Sequence, residues 1–240
     1  MIVALQTARA GSKSVVNKNI MKIGEKPLYM HPVDKSLESK LIDHVYISTD
    51  IKAILADKNS EYHAFERPKY LAKDNSSHHD VMIHGIQHIE KELNQRIEIL
   101  VVLLGNTLGA EAKDLDNALR TLKENPEADS IVSLSEFNMF NPFRALKVSG
   151  GTVKTWVDQD KIREMKKSSN VNDKKSAGEI YFANGSFFIC RRNVVMSKDG
   201  NLPFPWLGKN ILPWIESASM EIDAPWQVDV LKSMLGRKID

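Results

Sequence analysis

What the 240 residues lack narrows the field first. There is a single cysteine, Cys190, so no internal disulfide can form and no multi-cysteine metal site can be built; the count suits a reducing cytoplasm. Net charge is nearly absent: 33 Lys and Arg against 31 Asp and Glu leave a formal +2. So small an excess does not draw in nucleic acid or a membrane surface through the field of the whole protein, and an anionic substrate has to be held by local cations. No apolar run approaches the roughly 20 residues that span a bilayer. The apolar start at residues 1–5 has no basic n-region, and Arg9 follows too soon for a signal peptide. A soluble, cytoplasmic chain is expected. Internal repeats and clear linkers are also missing, and 42% hydrophobic with 27% charged residues is an ordinary folded composition.

What is present is an alternation of strand-length apolar runs with helix-period stretches. Residues 2–6, 45–48, 97–104 and 130–134 are β-rich, and the run 97–104 is too continuous to leave one face in water. Between them lie helical patterns at 27–39, 51–58, 79–93 and 112–124. Such alternation predicts a mostly parallel sheet between helices, an α/β fold. After Asn141 the texture changes. Residues 145–148 and 153–156 flank Gly150-Gly151 as a hairpin, and residues 158–177 are polar and lysine-rich, expected as a mobile loop or a segment ordered by a ligand or a second subunit. Residues 180–190 resume as a strand, 197–213 are polar and proline-broken, 220–222 are strand-like, and 225–235 form a last helix. The expectation is one domain, 1–240, with an inserted lobe at about 137–183.

Three places can carry chemistry. The loop Arg9-Ala10-Gly11-Ser12-Lys13, closed by Lys18-Asn19, offers backbone N–H groups, a hydroxyl and three cations to a polyphosphate, although a solvated turn has the same composition. It is neither a Walker A loop nor Gly-x-Gly-x-x-Gly. In the segment 67–78, from Arg67 to His78, Ser76 and Ser77 can read the edge of a base, while Asp74 or Ser77 can equally cap the following helix. Glu221 and Asp223, two apart on a strand-like stretch, face one side and can share a hydrated magnesium ion; isolated acidic pairs more commonly lie in solvent. Asp50 ends a strand, where α/β folds place functional carboxylates. His84 and His88 have i, i+4 spacing, but Gly85 stands where a metalloprotease needs glutamate, so they read as ordinary helix residues. Cys190 reads as a buried thiol, and Phe187, Phe188, Phe204 and Trp206 as core or subunit interface.

In order along the chain these pieces resemble the acylneuraminate cytidylyltransferase family, the CMP-sialic acid synthetases, with the legionaminic and pseudaminic acid enzymes close and CMP-Kdo synthetases more distant. The resemblance rests on Ala8 to Lys13 with Lys18-Asn19, Ile47 to Asp50, Arg67-Pro68 through Leu71-Ala72 with Asp74 and Ser77, Asp129 to Ser133 with Pro142, Asn184-Gly185, and Ile222-Asp223. It implies a Rossmann-like nucleotidyltransferase fold, usually a homodimer whose inserted lobe reaches the partner's sugar site. It implies transfer of CMP from CTP to a 2-keto-3-deoxy sugar acid, with magnesium, for surface glycan such as lipopolysaccharide or capsule. By that resemblance Arg9, Gly11, Ser12, Lys13, Lys18 and Asn19 hold the triphosphate, and Arg67, Ser76 and His78 lie against cytosine and ribose. Glu221 and Asp223 take the metal. Asn106, Arg144, Lys174, Lys175, Asn184, Phe188 and Phe204 sit where the family meets its sugar. Arg9, Lys13, Lys18 and Asp223 are then the catalytic set.

Three positions depart from the family pattern. Gly105-Asn106-Thr107-Leu108-Gly109 replaces Gln-Pro-Thr-Ser-Pro, so the amide the family turns toward ribose or sugar is absent unless Asn106 replaces it from the next position. Glu221 replaces an aspartate, and Ala224 a threonine or serine. A nucleotidyltransferase for Kdo or another sugar, and a nucleotide-binding homologue without turnover, are the alternatives; a nucleic-acid module would have only the lysine-rich stretch 161–175 to offer.

Overall fold

The computed structural model describes residues 1–58, 61–137, 140–168, 178–217 and 219–235. The chain divides into two compact units, Met1–Ser133 with Asn184–Asp240, and Leu134–Ala183.

The larger unit is built on a seven-stranded sheet whose middle strand is β6 (Ile99–Leu104), with β1 (Ile2–Ala8) beside it. Strand β1 lies parallel to β4 (His44–Thr49) on one side and to β6 on the other, in registers such as Leu5 opposite Tyr46 and Val102. Strand β5 (His63–Glu66) continues the parallel set beyond β4, and β10 (Tyr181–Arg191) runs antiparallel to β6. With β7 (Ser130–Glu136) and β11 (Ile211–Ile215) the order is β11-β7-β10-β6-β1-β4-β5. Strands β2 (Lys22–Ile23) and β3 (Lys26–Pro27) form a small separate ladder.

Burial explains why the runs are continuous. Val3, Ala4 and Leu5, like Ile99 through Val102, have no accessible surface, because helices cover both faces. Helices α1 (Met30–Leu37) and α4 (Ala112–Glu124) join the cluster that includes Ala4, Ala8, Val101 and Leu103. Helix α3 (His78–Leu93) starts where the Ser77 hydroxyl accepts from the Asp80 N–H and ends at Asn94 in the left-handed region. It passes so close to β1 that a Cβ at Gly85 would stand 2.4 Å from Leu5 Cδ2. Hence Gly85 serves packing. Helix α2 (Lys52–Leu55) is one turn, shorter than the periodicity over 51–58 suggests.

In the smaller unit β8 (Leu146–Ser149) and β9 (Thr152–Thr155) form the expected hairpin over Gly150 and Gly151, both at positive φ. The lysine-rich stretch departs from expectation. Its first part is helix α5 (Gln159–Ser168), started by Asp158 Oδ1 accepting from the Asp160 N–H at 2.8 Å, with Lys166 and Lys167 in its last turn. Charge order favours a helix there without an apolar stripe. Two further elements, α6 (Arg192–Ser197) and β11, fall where no regular structure is expected; β11 tolerates Pro213 because it is the edge strand. Residues 220–222 are not a regular strand, and α7 spans Pro225–Leu235.

Candidate functional site

The carboxyl ends of β1, β4 and β6 open onto one region, and the order places β1 between its two parallel neighbours, where an α/β sheet leaves a crevice. The loop that leaves β1 is held from both ends. Asp50, at the end of β4, accepts from the Ala10 N–H at 2.7 Å, and the buried Asn19 amide donates to the Arg9 carbonyl at 2.8 Å. Asp50 and Asn19 therefore shape the loop, and Gly11 lies within it at φ +72° with open space around its Cα.

The three loop cations are each paired across the sequence. Arg9 Nη2 and Lys13 Nζ both reach the Asp74 carboxylate, at 2.7 and 2.6 Å, and together hold its pKa below the usual carboxylate range, Lys13 more than Arg9. Lys18 Nζ donates to Asp223 Oδ1 and to the Ile222 carbonyl, both at 2.8 Å. Ser12 is half-buried in the same loop. Of the two candidate caps, Ser77 caps α3, and Asp74 is instead a counter-ion.

Asn106 anchors the acidic segment. Its carbonyl accepts from the Ile222 N–H at 2.9 Å, and its side-chain amide donates at 3.4 Å to Glu221 Oε2 and to the Ile222 carbonyl. The amide offered in place of the family glutamine is thus turned to Glu221. Burial, with the Asp223 charge second, raises the Glu221 pKa. Gly185, at φ +77°, is required here: a Cβ would meet Glu221 Cγ at 2.6 Å and Oε1 at 2.7 Å. Asn184 is fully engaged, accepting from Ser133 Oγ and the Ser186 N–H and donating to Glu216 Oε1 at 2.7 Å.

The third wall comes from the segment 67–78. Arg67 is buried, donating from Nη2 to the Ser48 carbonyl at 2.7 Å and from Nε to Ser48 Oγ at 3.2 Å; burial lowers its pKa to about 10. Ser76 Oγ closes its own loop by donating to the Tyr70 carbonyl and accepting from the Lys73 N–H. His78 Nε2 lies 3.0 Å from Thr7 Oγ1, and burial followed by the Arg67 charge lowers its pKa to about 4, so the imidazole is neutral at pH 7. Trp206 meets that ring edge-on at 5.5 Å and packs with Phe188 and Phe204 at 6.2 and 5.2 Å.

Of the candidate site residues, Arg9 and Lys13 meet the segment 67–78 at Asp74, Lys18 and Asn106 meet the acidic segment, and Phe188 and Phe204 reach His78 through Trp206. Arg144 ends a short turn in the smaller unit and is exposed; Lys174 and Lys175 lie outside the described residues. Thr7, Ser48 and Trp206 were not anticipated as partners of the site, and only the Ser48-Thr49-Asp50 strand end gave a signal for one of them. Away from the site, His84 and His88 pack around Phe65, His88 stacking on it at 4.1 Å, and burial raises the Cys190 pKa, leaving an inert thiol. Among the described residues no group of three or more His, Cys, Asp or Glu is placed to hold a metal, and no helix is long and apolar enough to cross a membrane.

The fold is that of the nucleotidyltransferases. It aligns over 99% of both chains, with a TM-score of 0.69 and 16% identity, to a CMP:2-keto-3-deoxy-manno-octonic acid synthetase solved in complex with CTP. The chain belongs to the cytidylyltransferase family, whose pattern matches residues 3–202. Among relatives, it is 28% identical over 78% of its length to a pseudaminic acid cytidylyltransferase and UDP-2,4-diacetamido-2,4,6-trideoxy-beta-L-altropyranose hydrolase of Helicobacter pylori, of which the match spans 35%. It is 26% identical, over 96% of its length and 93% of the relative's, to a CMP-N,N'-diacetyllegionaminic acid synthase of Campylobacter jejuni. The chain thus matches about a third of the first relative and nearly all of the second.

Proposed function

We propose that this chain transfers CMP from CTP to the anomeric hydroxyl of a 2-keto-3-deoxy sugar acid of the sialic acid type, releasing pyrophosphate. The observation that carries the reading is the meeting of the β1 loop with the acidic segment, Lys18 against Asp223, at the strand ends. The named relatives, which act on pseudaminic and diacetyllegionaminic acids, support a nine-carbon acceptor, and an eight-carbon acid of the Kdo type is the nearest alternative.

The chemistry is an in-line displacement. The anomeric oxygen forms a bond to the α-phosphorus, the bond from that phosphorus to the bridging oxygen breaks, and pyrophosphate leaves while the hydroxyl proton passes to solvent. Negative charge grows on phosphoryl and leaving oxygens, so the work is positioning and electrostatic. Arg9, Lys13 and Lys18 supply cations along the triphosphate, with Gly11, Ser12 and Asn19 giving the loop its shape. Arg67, fixed on Ser48, and neutral His78 give the base a rigid edge whose hydrogen-bonding groups do not change with pH near 7. Phe188 and Phe204 supply an apolar wall for the sugar.

Magnesium fits the donors. Glu221 and Asp223 are hard oxygen ligands, and a cation, the Lys18 ammonium, already stands beside Asp223. One or two carboxylates plus substrate phosphates is the way magnesium is commonly held, and it would offset phosphoryl charge when bound.

A homodimer in the cytoplasm is part of the proposal. Val148 and Val153, paired across the β8–β9 hairpin, are 79% and 63% exposed, and Leu146 beside them 61%. Two-stranded hairpins with a bare apolar face are unstable alone, and a second copy would cover this one. In that arrangement Arg144, Lys174 and Lys175 serve the sugar acid's carboxylate. The test is pyrophosphate release with CTP, magnesium and a panel of sugar acids; CTP binding without release across the panel would favour a homologue that binds nucleotide and does not turn over.

A further inference from the structure

Gln6 is a polar residue where the fold asks for an apolar one. It sits on β1, the strand flanked by β4 and β6, opposite Ile47 and Leu103, and has no accessible surface. Its face of the strand is shared with Ala4 and Ala8, inside the apolar cluster under α1 and α4. Its Nε2 donates to the Tyr29 carbonyl at 2.9 Å, which settles the amide's orientation because a carbonyl only accepts. Among the described residues its Oε1 is buried without a partner. A half-satisfied amide in a core is disfavoured against an aliphatic side chain of the same length. Stability does not account for it.

The bonds that follow from Gln6 lead to the β1 loop. Tyr29, whose carbonyl it holds, donates its own N–H to the Asn19 carbonyl at 2.9 Å, and the Asn19 amide donates to the Arg9 carbonyl at 2.8 Å. Gly105 closes the arrangement from β6. A Cβ there would stand 3.1 Å from Gln6 Nε2, 3.3 Å from Asn19 Oδ1 and 2.9 Å from Ala8 Cβ. Both amides therefore rest against the bare backbone of Gly105, and the loop after β6 gives up a side chain where β1 carries an unexpected one.

We infer that Gln6 is a positioning residue for the nucleotide loop: through Tyr29 and Asn19 its buried amide fixes where Arg9 stands. The inference rests on the proposed nucleotide reading for its functional consequence, and on the hydrogen-bond chain alone for its structural one. The variant Gln6→Met keeps the length and removes the amide. Melting temperature, amide hydrogen exchange over residues 9–19 without ligand, and CTP affinity by calorimetry are measured on it and on the native protein. The expected result is a melting temperature equal to or above native, faster exchange in the loop, and CTP binding weakened by about tenfold, the scale of one lost hydrogen bond. KM for CTP should rise while kcat moves little. Unchanged exchange and affinity in a folded Gln6→Met protein would overturn the inference, and so would a variant that fails to fold, since the amide would then belong to the fold itself. If the native protein does not bind CTP but loop exchange still quickens in the variant, the nucleotide reading fails and the positioning role stands.

Discussion

Lys18 and Asp223 are 205 positions apart and meet at 2.8 Å, with the Lys18 side chain largely buried and Asp223 mostly in solvent. The contact closes the far end of the loop after β1 onto the acidic segment. In the proposed magnesium site the lysine and the metal would compete for one carboxylate. Substituting either side by alanine is expected to lower turnover by on the order of 10²-fold. The substitutions should differ without nucleotide: Lys18→Met frees Asp223 and strengthens manganese binding read by electron paramagnetic resonance, whereas Asp223→Ala weakens it. Weaker manganese binding in Lys18→Met would show that the lysine does not oppose the metal.

Asp74 holds Arg9 and Lys13 at the same time. In the proposed nucleotide site, a triphosphate reaching those cations would displace it. Asp74→Asn removes the competing charge and should tighten CTP binding by about two- to fivefold at low salt, a small effect because exposed pairs are weak. Calorimetry at two salt concentrations checks this; weaker CTP binding would mean that Asp74 orients the cations instead.

His78 makes a pH dependence. Its folded-state pKa is about 4 against an ordinary 6.5, because burial and the Arg67 charge oppose protonation. Below pH 6.5 the unfolded chain takes up a proton that the folded chain refuses, so stability drops as pH falls from about 6.5 to about 4. His78→Gln should flatten that part of the denaturation profile and leave the region above pH 7 parallel to native. Identical slopes between pH 6.5 and 4 would refute the buried neutral imidazole.

Gly185 gives up its side chain to the Glu221 carboxylate and adopts φ +77°. Gly185→Ala should cost about 1 kcal/mol or more from backbone strain alone and move Glu221 from Asn106. Denaturant unfolding and turnover measured together would show both losses; an alanine variant with native stability and turnover would contradict the assigned contact.

The strands that carry the site are readable because they are buried on both faces, so β6 and the start of β1 appear as continuous apolar runs, while β4 and β7 show as shorter β-rich stretches with buried hydroxyls. The edges are harder. Strand β5 has four residues and β11 contains Pro213, and neither shows a pattern that distinguishes it from loop. Helix α5 hides for a different reason, since its signal lies in caps and charges and not in an apolar stripe. Within the site, residue types at strand ends point to Arg9, Lys18, Arg67 and Asp223, but which carboxylate each cation meets depends on loops brought together from across the chain. Asp74 meeting Arg9, Gln6 reaching Tyr29 and Glu221 filling the space at Gly185 are consequences of tertiary placement.

The most direct test of the account is pyrophosphate release by the native protein and by Asp223→Ala, with CTP, magnesium and N-acetylneuraminic, legionaminic, pseudaminic or Kdo acid supplied separately. The account predicts release with one of the nine-carbon acids, little with the others, and at least a 10²-fold loss in the folded variant. Release undiminished in Asp223→Ala, or none with any acid while CTP still binds, would contradict it.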